Sequence, residues 1–353
     1  MLAAAQSQEE IVSSAPTAGT LVRARYRIIQ LVGEGGSGAV YQAEDLRLGG
    51  RLSAIKEIRP DPYASPAQLE QAYTQFRREA LTLAQLDHPN LPKVYDFFVE
   101  GGRSYLVMDF VAGPDLRQLV DQARARGEFL SESVVLDWTA QLLDALEYLH
   151  SQTPSVVHRD IKPSNIKLTS QGRVKLVDFG LVKPMDPDDP RTITVARGVG
   201  SLPYTPLEQY GGGGEHTDPR SDIYALGATL YHLLTGRAPV TAQQRFLEPG
   251  LLTTPHRLNP DISPHIEKAL LAALAMHPDK RPADVAAFRA LLQPGRVVSE
   301  VVAPSPWEKA VRDNLGLIVL ALLLLSLAIF TTSRAPFATP PLPAPTTIVT
   351  PVR

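Results

Sequence analysis

The chain has 353 residues, of which 44% are apolar, and its formal net charge at pH 7 is -2. Its length suits roughly two average domains, and the apolar share is enough for a sizeable core. The nearly balanced charge and the lack of a long basic run argue against nucleic acid as the main partner. The absence of cysteine excludes a disulfide framework, a thiolate metal site and a cysteine nucleophile.

The N-terminal segment, residues 1–25, is predicted to be flexible. Residues 1–20 are rich in Ala, Ser and Gln, without a basic start or an apolar stretch, so they do not form a signal peptide. From Tyr26 to Leu292 the sequence is expected to form one folded unit. Its first quarter contains short β-type runs separated by glycine pairs, and most of the remainder has apolar residues at helical spacing.

A Gly-rich stretch follows the first of these runs. The segment "LVGEGGSGAVY" places Gly33, Gly35, Gly38 and Val40 in a G-x-G-x-x-G-x-V pattern. Glycines let a turn approach phosphates closely and leave backbone N–H groups to face them. An ordinary hairpin turn would explain the pattern alone. A dinucleotide-binding turn would open a helix, whereas the sequence after this one is strand-like, and the Gly-Lys-Ser/Thr of a Walker A loop is missing.

Lys56 lies in the alternating run "SAIKEI", with Ala54 on the same side of the predicted strand. A surface lysine is the simplest interpretation, but the next helix, predicted over about residues 67–86, offers a partner. Glu79 lies on its apolar face, where an unpaired carboxylate would be costly. We therefore expect a Lys56–Glu79 ion pair that holds the ammonium towards phosphate oxygens. The apolar face consists of Phe76, Glu79, Ala80 and Leu83.

The segment "VVHRDIKPSNIKLTSQGRVKLVDFG", residues 156–180, concentrates chemically active side chains. Asp160 is suited to accept a proton from a hydroxyl, and Lys162 is suited to offset charge on a transferring phosphoryl group. Asn165 and Asp178 supply the hard oxygen ligands that Mg²⁺ prefers. Each motif alone would be unremarkable, but their order behind a Gly-rich loop and an internal lysine predicts phosphoryl transfer.

These motifs together resemble the eukaryotic-type (Hanks-type) Ser/Thr protein kinases, particularly the bacterial membrane-anchored kind, over residues 26–292. The resemblance implies an α+β fold with two lobes: a β-rich N-lobe with one main helix (26–108) and a helical C-lobe (109–292). It also implies ATP and Mg²⁺ as cofactors, bound in the cleft between the lobes. Asp160 would be the catalytic base, while Lys162 would contact the γ-phosphate.

The same resemblance assigns the nucleotide site. Lys56 would bind the α- and β-phosphates and pair with Glu79, while Asn165 and Asp178 would hold Mg²⁺. In "YLVMDFV", Met108 would be the gatekeeper beside the adenine. The residues that would surround ATP are Gly33, Gly35, Gly38, Val40, Ala54, Lys56, Met108 and the backbone of Asp109 and Val111.

Residues further along the chain agree with the kinase family pattern at some positions and differ from it at others. Asp222 of "SDIYALG" would support the catalytic loop, and Arg281 would pair with Glu208 of the substrate-binding segment. In "GSLPYTPLEQY", Pro206-Leu207 stand where the family has Ala-Pro, and Ser201 replaces a threonine. Lys167 occupies a position that is usually apolar beneath the adenine, where its alkyl stem could still cover the ring.

Control and specificity are predicted from the same segment. Lys162 after the catalytic aspartate favours Ser/Thr over Tyr as the acceptor, by resemblance. Thr192 and Thr194 lie in the loop at 181–200, and Arg159 precedes Asp160, an arrangement in which loop phosphate can pair with Arg. We therefore expect autophosphorylation at one of these threonines, with an unmodified loop as the alternative.

The C-terminal region differs from the rest of the chain. Residues 293–313 form a Pro-containing linker, and 314–332 carry no charge, long enough as a helix to cross a bilayer. A buried core helix is the alternative. The prediction is one transmembrane helix, a cytoplasmic kinase domain and a Pro/Thr-rich tail, 333–353, outside the cell membrane. Dimerisation through the helix is one way in which a signal would be received.

Two other functions compete with an active Ser/Thr kinase in membrane-linked signalling, whose partners would be Ser/Thr-containing proteins. A pseudokinase would bind nucleotide and act as a membrane scaffold. A small-molecule kinase could also carry Asp and Asn at this spacing, but it would not be expected to combine them with an activation segment, Glu208 and Arg281.

Overall fold

The computed structural model describes residues 15–35, 38–60, 63–178, 199–210, 217–293 and Asn314. Its first part is a six-stranded antiparallel sheet with the strand order β1-β2-β3-β4-β6-β5. The strands are β1 (Leu21–Val22), β2 (Tyr26–Gly35), β3 (Gly38–Asp45), β4 (Arg51–Ile58), β5 (Val94–Glu100) and β6 (Arg103–Asp109).

The two faces of this sheet have different surroundings because side chains alternate along each strand. In β4, Ser53, Ile55 and Glu57 are buried on the outer face, and Ile55 packs there in an apolar cluster with Tyr41. Ala54 and Lys56 point to the inner face, where they are half-buried. The side chain of Lys56 therefore lies on the inner face of the sheet, as the alternation predicts.

Helix α1 (Pro66–Gln85) packs against the inner face. Ser65 caps its N-terminus in a capping box with Gln68, and proline occupies the first turn. Its buried residues are Phe76, Glu79, Ala80 and Leu83, which confirms the predicted face. The side chain of Glu79 is thus carried into an apolar interior, only 3% exposed.

The second part of the fold is mainly helical, as predicted. Its longest helices correspond to the two segments with the clearest helical spacing, and the short strands β7 and β8 form a hairpin between them. The elements are α2 (Leu116–Ala125), α3 (Glu132–His150), β7 (Ile166–Leu168), β8 (Val174–Leu176), α4 (Pro219–Thr235), α5 (Ala242–Leu247), α6 (Pro255–Leu258), α7 (Pro264–Ala273) and α8 (Val285–Leu292).

Helix α4 is the central element of this part, since every residue from Ser221 to Thr235 is buried. It crosses α7 closely at Gly227, where an added Cβ would lie 2.7 Å from the Cβ of Ala273. A helix that is surrounded on all sides gives a fixed support for the loops packed against it. The catalytic-type segment around Asp160 is one of those loops.

Several predictions fall on parts of the chain outside the described residues. These are most of the N-terminal segment, the loop with Thr192 and Thr194, the linker 293–313 apart from Gln293, the 314–332 segment apart from Asn314, and the tail 333–353. Within the part that the structure describes, no helix is both long and apolar enough to span a bilayer.

Candidate active site

The Gly-rich stretch is the hairpin between β2 and β3, so the structure confirms a strand-turn-strand arrangement rather than a turn into a helix. Gly35 pairs with Gly38 across it. Gly38 has a φ of 153°, and an added Cβ would lie only 1.8 Å from the carbonyl oxygen of Glu57, so only glycine fits there. Gly33 and Gly35 face open space, with nothing within 4 Å of an added Cβ. That space is available to a phosphate chain.

The inner face beneath the hairpin presents Lys56. Val40 lies opposite it on β3, and Ala54 lies opposite Met108 on β6. The Lys56 ammonium makes an ion pair with the Asp178 carboxylate. Lys56 and Glu79 line one small cavity between the sheet and α1. Glu79 accepts a hydrogen bond from Gln75 at 2.6 Å, and its predicted ion pair with Lys56 stays a prediction.

The segment joining the two parts of the fold begins at the end of β6. Met108 is buried there, at 5% exposure, and Val111 is half-buried. The backbone N–H of Asp109 donates to the carbonyl of Lys93 at 2.9 Å. The Asp109 carboxylate accepts bonds from Arg51 at 3.0 Å and from the hydroxyl of Tyr95. Both the side chain and the backbone N–H of Asp109 are therefore bonded to other residues, so the start of the segment that joins the two parts is fixed in position.

The catalytic-type loop is held by Asp222 at the start of α4. Its carboxylate accepts the backbone N–H groups of His158 and Arg159, each at 2.8 Å, and lies 2.9 Å from Nε2 of His150. Arg159 adopts a φ of 67°, an uncommon backbone conformation that these bonds stabilise. Burial alone would raise the pKa of Asp222, but its hydrogen bonds and nearby His150 outweigh it, so the pKa is lowered.

Asp160 and the residues after it form a connected group of polar atoms. The Lys162 ammonium donates to Oδ2 of Asp160 at 2.8 Å and to the hydroxyl of Ser201 at 2.7 Å. Nδ2 of Asn165 donates to the same Oδ2 at 2.9 Å and to the Asp160 carbonyl at 2.8 Å. One carboxylate is therefore oriented by two neighbours, and the short 3₁₀ helix Val199–Tyr204 is joined to it through Ser201 and Lys162.

Asn165 and Asp178 carry the oxygen atoms that the sequence predicts as ligands of a divalent cation. Since Nδ2 of Asn165 is bonded to Asp160, Oδ1 is the amide atom left for a metal. The backbone N–H of Val177 donates to the Asn165 carbonyl at 2.8 Å. This bond holds the segment that ends in Asp178 next to Asn165. No cluster of three His, Asp or Glu side chains suited to a metal occurs among the described residues. Two protein oxygens fit Mg²⁺, whose remaining ligands are commonly phosphates and waters.

The family of this chain follows from a comparison with models of known protein families. Residues 26–292 match the protein kinase domain model, which is the range that the sequence motifs predicted. This chain belongs to the protein kinase family. Protein kinases use ATP with divalent cations bound to the phosphates. The two parts of the fold are therefore the N-lobe and the C-lobe of a kinase domain.

Curated relatives are bacterial kinases. A probable serine/threonine-protein kinase of Streptomyces coelicolor is 37% identical over 269 residues, covering 73% of this chain and 38% of that protein. The serine/threonine-protein kinase PrkC of Bacillus subtilis is 36% identical over 269 residues, covering 74% of this chain and 39% of PrkC. The chain thus spans well under half the length of these two relatives.

Solved kinase domains share the fold. The apo form of PpkA-294 has a TM-score of 0.62 and 29% identity, covering 79% of this chain and 99% of that one. The PknI kinase domain of Mycobacterium tuberculosis has a TM-score of 0.61 and 27% identity, covering 79% and 98%. The two-lobed kinase fold is therefore confirmed for this chain.

In the kinase C-lobe, Glu208 and Arg281 form the predicted ion pair despite Pro206-Leu207. Two parallel bonds of 2.7 and 2.9 Å join the guanidinium to the carboxylate, and Ser221 adds a third bond of 2.7 Å to Glu208. Burial opposes ionisation of Glu208, but Arg281 outweighs it and lowers the pKa of the carboxyl. The departure from Ala-Pro therefore leaves this support of the substrate-side segment intact.

Lys167 is tied down at the lower edge of the kinase cleft. Its ammonium lies 3.4 Å from the carbonyl oxygen of Gly113 and 3.6 Å from Oδ2 of Asp115. Gly113 has a φ of 125°, and an added Cβ would lie 2.1 Å from the Leu168 carbonyl oxygen. The ammonium group of Lys167 is thus held by Gly113 and Asp115. Its alkyl stem is the part that could cover an adenine ring, as predicted.

Some contacts of the site have no signal in the sequence. The hydroxyl of Ser201, which the sequence marks only as a replacement for threonine, bonds Lys162. His150, at the end of α3, contacts Asp222. No motif spacing signals either contact, because each joins segments that are distant along the chain.

Proposed function

We propose that this protein is a serine/threonine protein kinase that transfers the γ-phosphoryl group of ATP to protein Ser/Thr hydroxyls. The observation that carries the proposal is the group formed by Asp160, Lys162 and Asn165, next to the Lys56–Asp178 ion pair. Such a group combines a proton acceptor, cations for phosphate charge and oxygen ligands for a metal. The names of the bacterial relatives support the same activity.

In the proposed reaction, Asp160 accepts the proton of the substrate hydroxyl as its oxygen bonds to the γ-phosphorus. The bond between that phosphorus and the β–γ bridging oxygen breaks, and ADP leaves with the bonding electrons. Lys162 offsets the negative charge on the transferring group and keeps Asp160 oriented. One proton thus passes from the substrate hydroxyl to Asp160. One phosphoryl group passes from the bridging oxygen of ATP to the oxygen of that hydroxyl.

The metal site proposed for Mg²⁺ consists of Oδ1 of Asn165 and the carboxylate of Asp178. A bound Mg²⁺ would neutralise phosphate charge and draw the β- and γ-phosphates into a fixed position. Lys56 would bind the α- and β-phosphates while keeping its contact with Asp178, and Glu79 would orient Lys56 from α1. In this arrangement Mg²⁺ and Lys56 together would neutralise the negative charge of the phosphates.

The nucleotide is proposed to lie between the two lobes. Its phosphates would run beneath the Gly-rich hairpin, and its adenine would rest beside Met108. The carbonyl of Asp109 and the backbone of Val111 would form the base-specific hydrogen bonds. Residues proposed to surround ATP are Gly33, Gly35, Gly38, Val40, Ala54, Lys56, Met108, Asp109 and Val111.

Cellular placement and control remain parts of the proposal. The uncharged 314–332 segment supports a single membrane span with the kinase domain in the cytoplasm, where ATP is available. Autophosphorylation at Thr192 or Thr194, and a homodimer formed through the membrane helix, are proposed as its control. Protein substrates bearing Ser or Thr are the proposed partners.

Label transfer from γ-labelled ATP tests the activity. The full chain is incubated with Mg²⁺ and a generic acceptor such as casein, and the labelled amino acid is identified after hydrolysis. We expect label on phosphoserine or phosphothreonine and none on phosphotyrosine. Nucleotide binding without any label would instead favour the scaffold function of a pseudokinase.

A further inference from the structure

An ion-pair network lies on the outer face of the N-lobe sheet, directly behind the Gly-rich hairpin. Arg59 bonds Glu34, which lies between Gly33 and Gly35, at 2.8 Å, and it bonds Oε1 of Glu57 at 3.1 Å. Arg103 donates to the same Oε1 at 2.7 Å, and the Tyr41 hydroxyl donates to Oε2 at 2.8 Å. Four strands therefore contribute to one network: β2, β3, β4 and β6.

The strand register places this network one residue away from the phosphate side. Glu34 is paired with Ala39, Ala39 with Glu57, and Glu57 with Tyr105. The neighbouring row runs from Gly33 through Val40 to Lys56 on the opposite face. Whatever holds Glu34 and Glu57 in place therefore also fixes the backbone that carries Gly33 and Lys56.

The Gly-rich hairpin is packed tightly against β4 near Glu57. The Gly38 backbone lies against the Glu57 carbonyl so closely that a Cβ would collide with it. The Glu57 side chain is fully buried, while Glu34 is half-exposed. Arg59 thus joins a buried carboxylate on β4 to a half-exposed carboxylate on the Gly-rich strand β2.

The electrostatic environment agrees with this geometry. The bond to Glu34, followed by the contacts with Glu57, raises the pKa of Arg59 above its ordinary value. Burial and the bond to Glu57 raise the pKa of Tyr41 to about 12, so its hydroxyl stays a donor at neutral pH. Arg59 and Tyr41 therefore both stay protonated, and both remain donors, at neutral pH.

We propose that Arg59 is a positioning residue for nucleotide binding, which holds the Gly-rich strand over the phosphates through Glu34 while anchored to Glu57. The inference rests on the proposed function, since it assigns a task within the ATP site. Neither Arg59 nor Glu34 touches the reacting atoms in this proposal. Their effect is on where Gly33 and Gly35 lie when phosphates arrive.

Variants of the ion pair test the proposal in the full chain. E34Q and R59Q each remove it, and R59Q leaves Glu57 bonded to Arg103 and Tyr41, so no buried carboxylate loses every partner. R27Q is the matched control, because Arg27 lies on β2 like Glu34 but pairs with Glu44 on β3, at the end of the hairpin away from the glycines. Binding of the Mg²⁺ complex of a β,γ-imido ATP analogue is measured by calorimetry, and KM and kcat by label transfer.

We expect E34Q and R59Q each to raise the Kd of the analogue and the KM for ATP by about three- to fivefold, the range of a partly exposed ion pair. The double variant E34Q/R59Q should match R59Q, since that single variant has already lost the Glu34–Arg59 ion pair. The kcat should stay within about twofold, as for a lost uniform binding interaction. R59K should restore part of the affinity, and R27Q should bind like the wild type.

Several results would overturn the proposal: E34Q and R59Q indistinguishable from R27Q, or effects of the two that multiply in the double variant. A wild type that binds the analogue but transfers no label would refute the proposed kinase activity alone, and the Kd comparison would still decide the role of Arg59. A wild type that binds no nucleotide would refute both.

Discussion

The substitution Glu208→Gln would break the C-lobe ion pair with little change of shape. The Arg281 side chain is fully buried and that of Glu208 is 4% exposed. Gln would keep one oxygen for the guanidinium but turn an NH₂ group towards the other guanidinium nitrogen. A buried Arg would then face a donor where it had a charge partner, and its remaining acceptors would be the one Gln oxygen and the backbone carbonyls of Ala275, Arg220 and Met276.

The size of the effect follows from burial. Removing one partner of a buried ion pair costs about 3–5 kcal/mol. For a domain of this size, each kcal/mol lowers Tm by about 2–4 °C, so even the lower bound predicts a loss of about 6–12 °C. By contrast, R289Q would break contacts with Asp144 and Glu147, whose side chains are 59% and 58% exposed. Such surface pairs contribute about 0–1 kcal/mol.

Acid should remove the difference between E208Q and the wild type. The pKa of Glu208 is lowered in the folded state, so its contribution is present above the unfolded-state pKa, near 4.5, and is lost as pH falls through the folded pKa. Thermal unfolding measured in steps from pH 7.5 to well below pH 4.5 checks both statements, with R289Q as the control. A Tm loss at pH 7.5 no greater than that of R289Q would refute the reasoning.

Three further outcomes are expected. D222N places a donor against the backbone N–H groups that Asp222 now accepts, so kcat should fall at least about tenfold and unfolding should become easier by about 1–3 kcal/mol, measured by label transfer and denaturant titration. G38A should lower the unfolding free energy by about 1–3 kcal/mol through its clash with Glu57, while G33A, which meets open space, should change it by less than about 0.5 kcal/mol. Burial lowers the pKa of His232 to about 4, below its unfolded value of 6.5, so the unfolded chain binds more protons between these values and stability should fall as pH drops through them. H232Q should flatten that slope in denaturant titrations at pH 7.5 and pH 5, and equal slopes would contradict the assignment.

Much of the site could be predicted because its residues carry a local signature. Helix α1 has its buried face at the predicted spacing, which depends only on helical periodicity. The glycines and Asp160, Lys162 and Asn165 lie within short segments, so their spacing survives in the sequence. The Glu208–Arg281 pair is distant along the chain and was predicted only through the family resemblance.

The remaining contacts arise from folding in three dimensions. The Glu34–Arg59–Glu57 network depends on strand register, since Glu34 and Glu57 belong to different strands that meet only across β3. The bond between Lys162 and Ser201 depends on how the segment after the activation loop packs on α4. Neither has a periodic or motif-level signal, so a single sequence does not reveal them.

Comparison of D160N with the wild type tests the central claim most directly. Both full chains are given γ-labelled ATP, Mg²⁺ and an acceptor protein, and nucleotide affinity is measured in parallel. The account predicts label on Ser or Thr with the wild type, a loss of at least about a hundredfold in kcat with D160N, and similar nucleotide affinity for both. Equal transfer by the two chains would contradict the role of Asp160 and, with it, the proposed mechanism.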